Sequence, residues 1–198
     1  MNKPYAESCD QNRGPILTVI KPLLEDCSSV LEIGSGTGQH AVYFAEQMPH
    51  LLWYPSDCAR YLAGINLWID DAGLENVQRP VELDVSRSIW PRIQVDAVFS
   101  ANTVHIMRWP DVEALFAGVG KVLNESGGLL LYGPFNYAGA YTSESNARFD
   151  AWLKARDPHS GIRDFEALQE LAEKAGMKLK EDYEMPANNR TLVWSKHS

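Results

Sequence analysis

Gly34, Gly36 and Gly38 alternate with Ser35 and Thr37 directly after Val30-Leu31-Glu32-Ile33, and a helical pattern begins at once. Lacking a Cβ, these glycines let backbone come close to a ligand, and the free amides at the start of a helix favour a polar or anionic group. As chemistry, the stretch is a strand, a tight turn and a helix N-terminus suited to a nucleotide-like ligand; as architecture alone, it is a tight connection. Asp57 and Asp84 each close a short apolar segment further on. A carboxylate there can accept hydrogen bonds from a ligand or cap the following helix. His105, in Val104-His105-Ile106-Met107, can exchange a proton near neutral pH. The same setting also suits a hydrogen-bonded structural histidine.

These residues need a scaffold, and the apolar periodicity supplies one. A helix is expected over residues 14–25, followed by a strand over 29–33 and a helix over 39–48. Strands over 51–57 and 81–84 flank a helix over 59–72. A near-continuous apolar strand over 95–101 precedes a helix over 111–123 and a strand over 129–132. Such alternation calls for a doubly wound, mostly parallel sheet with helices on both faces. Residues 136–161 change texture and read as an insertion or lid over the substrate site, with a helix over 145–155. A helix over 163–175 and strands over 178–185 and 191–195 close the chain, giving a seven-stranded α/β sheet whose last strand is antiparallel. We take residues 1–198 as one domain.

The ligand class follows from glycine spacing. Dinucleotide folds place Gly-x-Gly-x-x-Gly under a pyrophosphate, whereas this chain has Gly-x-Gly-x-Gly preceded by Glu32. That pattern resembles motif I of the class I S-adenosylmethionine-dependent methyltransferases and counts against a nicotinamide-dependent oxidoreductase. The resemblance implies S-adenosyl-L-methionine as cofactor, with Gly34, Gly36 and Gly38 under its methionine and ribose portions and Glu32 holding ligand and loop. It further implies that Asp57 accepts from both ribose hydroxyls, that Asp84 accepts from the adenine amine, and that Asn102 lies at the methionine end.

A second resemblance spans nearly the whole chain. Trp53-Tyr54-Pro55-Ser56-Asp57, Asn102-Thr103-Val104-His105-Ile106, Tyr132-Gly133-Pro134-Phe135, Asn146-Ala147-Arg148-Phe149-Asp150, Arg156-Asp157-Pro158, Gly161-Ile162-Arg163-Asp164 and Met185-Pro186-Ala187-Asn188-Asn189 look like the domain of unknown function 938 family. Its animal relatives are called methyltransferase-like protein 26. This resemblance implies a Rossmann-like class I methyltransferase fold and brings no established substrate. Residues 11–17 are similar to the family's opening helix, and residues 1–12 are expected to form an N-terminal cover over the cofactor.

Methyl transfer is an in-line displacement that needs alignment and exclusion of water. His105 is the candidate base where the acceptor arrives protonated. Tyr132, Phe135 and Asn136 leave the fifth strand over the same place, and Asn146, Arg156, Arg163, Asn188 and Asn189 approach from the lid and terminal strands. Arginine clamps carboxylate or phosphate, so a small polar substrate, anionic if the arginines face it, is one reading. In the other, Arg156-Asp157 and Arg163-Asp164 are ion pairs that hold the insertion together.

Composition narrows the partners. A formal net charge of −8 over 198 residues argues against nucleic acid or an anionic membrane, both of which need clustered cations. Cys9, Cys27 and Cys58 are widely spaced, which suggests neither a metal site nor a disulfide framework and fits reduced thiols in the cytoplasm. The first residues lack the apolar core of a secretory signal. A small-molecule substrate is therefore expected, and a non-catalytic cofactor-binding or partner-binding module is the principal alternative.

Overall fold

The computed structural model describes residues 2–87 and 89–197; Met1 of the expected cover and Ser198 at the end of the expected domain lie outside them. Seven strands form one sheet in the order β3-β2-β1-β4-β5-β9-β8. These are β1 (Ser29–Ile33), β2 (Leu52–Asp57), β3 (Val81–Glu82), β4 (Val95–Ala101), β5 (Leu123–Gly133), β8 (Met177–Met185) and β9 (Asn189–Lys196). β1 pairs in parallel with β2 and β4, and β4 in parallel with β5. β9 enters antiparallel between β5 and β8, pairing Leu130 with Val193 and Asp182 with Leu192. This is the class I methyltransferase fold. Two short strands, β6 (Phe135–Asn136) and β7 (Arg163–Asp164), form a separate parallel pair.

Side-chain alternation along the central strands builds two cores. Val98, Leu129 and Leu131 face one side with Leu115, Phe116 and Leu168, whereas Ala97, Phe99, Leu130 and Tyr132 face the other with Ile16, Phe44 and Ile65. Helices α1 (Glu7–Leu23), α2 (Gln39–Gln47) and α3 (Ala59–Ala72) therefore cover one face. Helices α4 (Trp109–Val122) and α6 (Phe165–Lys174) cover the other, while α5 (Glu144–Arg156) stands apart over the carboxyl end of the sheet. Both faces being dry explains the near-continuous apolar run of β4.

The elements match the sequence pattern in order, with β1, α3 and β4 at the expected bounds and several differences at other ends that have local causes. α1 begins at Glu7, seven residues before Gly14, because its first turns are held from outside: Gln39 Oε1 accepts from the Ala6 N–H at 2.6 Å and His40 Nε2 meets Asn12 Oδ1 at 2.7 Å. Pro15 and Pro22 lie inside it. β3 stops at Glu82, leaving Asp84 in a turn where it accepts from the Ser86 N–H and hydroxyl. β5 starts at Leu123 rather than Leu129, with Gly127 in the strand, where a Cβ would lie 2.9 Å from the Asn124 carbonyl oxygen. α6 starts at Phe165 because Arg163 and Asp164 pair with Phe135 and Asn136. Among the described residues no helix is long and apolar enough to cross a membrane.

Candidate active site

The sheet order reverses between β1 and β4, and open α/β sheets bind ligands at that point, outside the carboxyl ends of the strands. The three glycines after β1 all adopt positive φ, for different reasons. Gly34 (+74°) lies where a Cβ would come 2.4 Å from Thr103 Cγ2, and Gly38 (+93°) where it would come 3.0 Å from the Ile65 Cα. Gly36 (+57°) has nothing within 4 Å of that position. Gly34 and Gly38 thus permit packing against β4's exit and α3, while Gly36 leaves open space for a ligand.

Asp57 lies beside Gly36 at the end of β2. Its Oδ2 accepts from the Gly36 N–H at 2.8 Å and its Oδ1 from the Cys58 N–H at 2.7 Å. Burial pushes its carboxyl up and the two amides oppose that. It shapes the turn and keeps lone pairs for hydroxyl donors. Glu32 is placed differently. Its carboxyl is buried and accepts from Trp53 Nε1 at 2.9 Å, inside the core under the turn, and burial raises it to about 7. It supports the loop from below. Asp84 is held below the usual carboxylate range chiefly by the Ser86 hydroxyl, and Arg87 lies 3.5 Å away.

At the end of β4, Ser100 Oγ donates to the Ile33 carbonyl at 2.7 Å and lies 2.7 Å from Thr103 Oγ1. That bond ties the two switch-point strands together. Asn102 follows in left-handed backbone (φ +57°), its N–H donating to the Tyr132 carbonyl at 2.9 Å. Asn tolerates this conformation better than most residues. His105 is 4% exposed, and its Nδ1 has no hydrogen-bond partner among the described residues. Desolvation first, then the Arg163 charge, push it down to about 4. The imidazole is neutral at physiological pH.

Asn102 and His105 open onto a cavity of about 870 Å³. α1 contributes Ser8, Gln11 and Asn12; α5 contributes Asn146, Phe149 and Trp152; and the turn between β8 and β9 contributes Asn188 and Asn189. Tyr132 closes the floor. Of the sequence-selected residues, then, Asn102, His105, Tyr132, Asn146, Asn188 and Asn189 share one cavity. Phe135 and Asn136 do not line it. Phe135 is fully buried in the core, and Asn136 is buried on β6 with its Oδ1 lacking a partner among the described residues.

The two arginines correct the sequence reading. Arg163 donates from Nε to the Val104 carbonyl at 3.1 Å and from Nη2 to the carbonyls of Met107 and His159. Its fork is engaged by backbone, so it braces the loop that carries His105 rather than facing a substrate. Arg156 is exposed and lies over the Trp152 ring at 4.5 Å. Neither lines the cavity.

Residues 3–196 match the family described as "Protein of unknown function (DUF938)". The chain belongs to this family. Among solved structures it is similar to the S-adenosylmethionine-dependent methyltransferase SibL in its apo form (21% identity, TM-score 0.82, covering 96% of this chain and 56% of that one). It is also similar to the mitomycin 7-O-methyltransferase MmcR (14%, 0.84, 96% and 54%). A third is an O-methyltransferase family 2 protein from Planctomyces limnophilus in complex with apigenin (16%, 0.75, 85% and 50%). The chain spans about half the length of these proteins. At such identities the likeness is one of fold.

In this DUF938 member two of the segments quoted above, those of Asp150 and Gly161, hold together the walls around the cavity. Asp150, buried on α5, accepts from the Ile162 N–H at 2.7 Å, the Tyr141 hydroxyl at 2.7 Å and Lys154 Nζ at 2.6 Å. Gly161 donates its N–H to the His105 carbonyl at 2.8 Å. Sequence reasoning did not single out Ser100 or Thr103. A hydroxyl inside the otherwise apolar β4 was the available signal, since a buried polar side chain must find a partner.

Proposed function

We infer that this chain is an S-adenosylmethionine-dependent methyltransferase acting on a small molecule. The observation that carries it is Gly36, which leaves open space beside Asp57 at the switch point, on the same carboxyl side of the sheet as a cavity lined by Asn102, Tyr132 and His105. In this reading the cofactor supplies an electrophilic methyl group on a sulfonium. Asp57 receives the ribose hydroxyls, and the amides around Gly36 set the ligand's distance from the turn. Asn102 orients the methionine end, and Asp84, at the rim, receives the adenine amine. The α5 wall and residues 8–12 exclude water. His105 would take the proton of the acceptor atom, and the cofactor would supply the methyl group that this atom gains. An imidazole held near 4 is a weak base. It suffices because the acceptor atom becomes strongly acidic as it gains the methyl carbon.

Titration of S-adenosylmethionine and its demethylated product S-adenosylhomocysteine by calorimetry tests this. Binding with one site is expected, weakened by about 1.5–3 kcal/mol in Asp57→Ala through loss of charged hydrogen bonds. Absence of binding to the folded protein overturns the reading. Binding without methyl transfer to any component of a cell extract would leave a cofactor-binding module.

A further inference from the structure

Asp, Glu, Lys and Arg make up 22% of the chain, yet none of them lines the cavity beside His105 among the described residues. Arg163 is turned onto backbone carbonyls and Arg156 onto the Trp152 ring. A carboxylate, phosphate or ammonium entering this space would lose hydration and gain no counter-charge, which is strongly unfavourable.

The walls have a second bias. Asn146 has both its amide hydrogens engaged: Nδ2 donates to Thr142 Oγ1 at 2.9 Å and to the Asn188 carbonyl at 3.1 Å. Asn188 Nδ2 donates to Ser145 Oγ at 3.2 Å and Asn189 Nδ2 to the Pro186 carbonyl at 3.1 Å. Asn146 is thereby used up as a donor and offers acceptor oxygen, while Asn188 and Asn189 each keep one N–H beside their oxygen. A neutral imidazole adds another acceptor. A ligand hydroxyl can donate to that ring and accept from the remaining amide N–H groups.

Shape gives the third constraint. Phe149 meets His105 edge-on at 5.3 Å and stacks with Trp152 at 5.8 Å and 17°. Trp152 is 51% exposed and Ile106 58% exposed, both at the cavity. Flat apolar surface left open next to a cavity is suited to a flat ligand.

Resting on the methyltransferase reading, we propose that the acceptor is an uncharged small molecule with a planar aromatic ring bearing a hydroxyl. The ring lies along Phe149 and Trp152, and the hydroxyl donates to His105.

The test uses three matched probes at pH 7, titrated into the full chain saturated with S-adenosylhomocysteine: neutral 4-hydroxybenzamide, anionic 4-hydroxybenzoate and cationic tyramine. The neutral phenol should bind about tenfold or more tightly than either charged analogue, because each charge must be desolvated without a partner. Trp152→Leu should weaken the neutral phenol about threefold to tenfold, the range expected for loss of an aromatic stack, with S-adenosylhomocysteine affinity unchanged. Equal or tighter binding of a charged analogue overturns the proposal, as does binding of the non-aromatic polyol myo-inositol in preference to the phenol, or no binding of 4-hydroxybenzamide at millimolar concentration. The S-adenosylhomocysteine titration is read separately. Its failure removes the methyltransferase reading, whereas its success with no preference among probes removes only the substrate class.

Discussion

Trp53 Nε1 donates to Glu32 Oε2 at 2.9 Å in the core beneath the glycine turn, joining β2 to β1 through two buried side chains. Burial raises the Glu32 carboxyl from 4.5 to about 7. Between these values the native state keeps a proton that the unfolded chain has released, so this residue makes stability fall as pH rises from 4.5 through 7. Glu32→Gln keeps an acceptor for Trp53 and removes the titration. Relative to the parent, the variant should gain on the order of 2–3 kcal/mol between pH 4.5 and pH 8. Urea unfolding across that range measures it, and stability curves that stay parallel would refute it.

The three glycines separate folding from binding. Gly38→Ala combines positive φ with a Cβ 3.0 Å from the Ile65 Cα, for an expected loss of about 2–4 kcal/mol of stability. Gly36→Ala meets nothing within 4 Å and should lose only about 1 kcal/mol from backbone strain. Cofactor affinity should follow the opposite order, with Gly36→Ala falling about tenfold or more as the methyl group occupies ligand space. Paired melting and calorimetry decide it; an unaffected affinity in Gly36→Ala removes the cofactor from that space.

How far the sequence reaches differs between fold and site. Apolar periodicity located the strands and helices because burial on two faces is written into side-chain type, as in Val98 and Phe99 pointing to opposite cores. It misplaced the ends of α1, β3, β5 and α6, where tertiary bonds such as Ala6 to Gln39 set the boundary. The fold brings Asn102, His105, Tyr132, Asn146, Asn188 and Asn189 to one cavity. That Arg156 and Arg163 stay outside it was not legible, because residue type tells what a guanidinium can bind but not that the carbonyls of Val104 and His159 would reach it first.

Arg163 therefore makes a structural prediction in place of a substrate one. Lysine cannot span the carbonyls of Val104, Met107 and His159 with a single ammonium, and leaves part-buried oxygens without donors. Arg163→Lys should cost about 1–3 kcal/mol of stability. Amide exchange should accelerate around His105, Ile106 and Gly161, while S-adenosylhomocysteine affinity holds. Exchange confined to its parental rate would show that Arg163 does not brace this loop.

His40 and His105 act on the acid side. Burial is the leading cause in both, pushing each from 6.5 down to about 4. Below 6.5 the unfolded chain takes up protons that the native state refuses, so stability contributed by the neutral rings is lost as pH falls from 6.5 toward 4, opposite in sign to Glu32. His105→Gln removes one of these groups. Whatever the substitution costs at pH 8 should shrink by about 1–2 kcal/mol at pH 5. The same displacement governs the proposed reaction: the proton-accepting limb attributable to His105 should fall near pH 4 in single-turnover rates, leaving no break at 6.5. A break near 6.5 that vanishes in His105→Gln would mean that the imidazole titrates as if exposed, and would overturn the buried, neutral base.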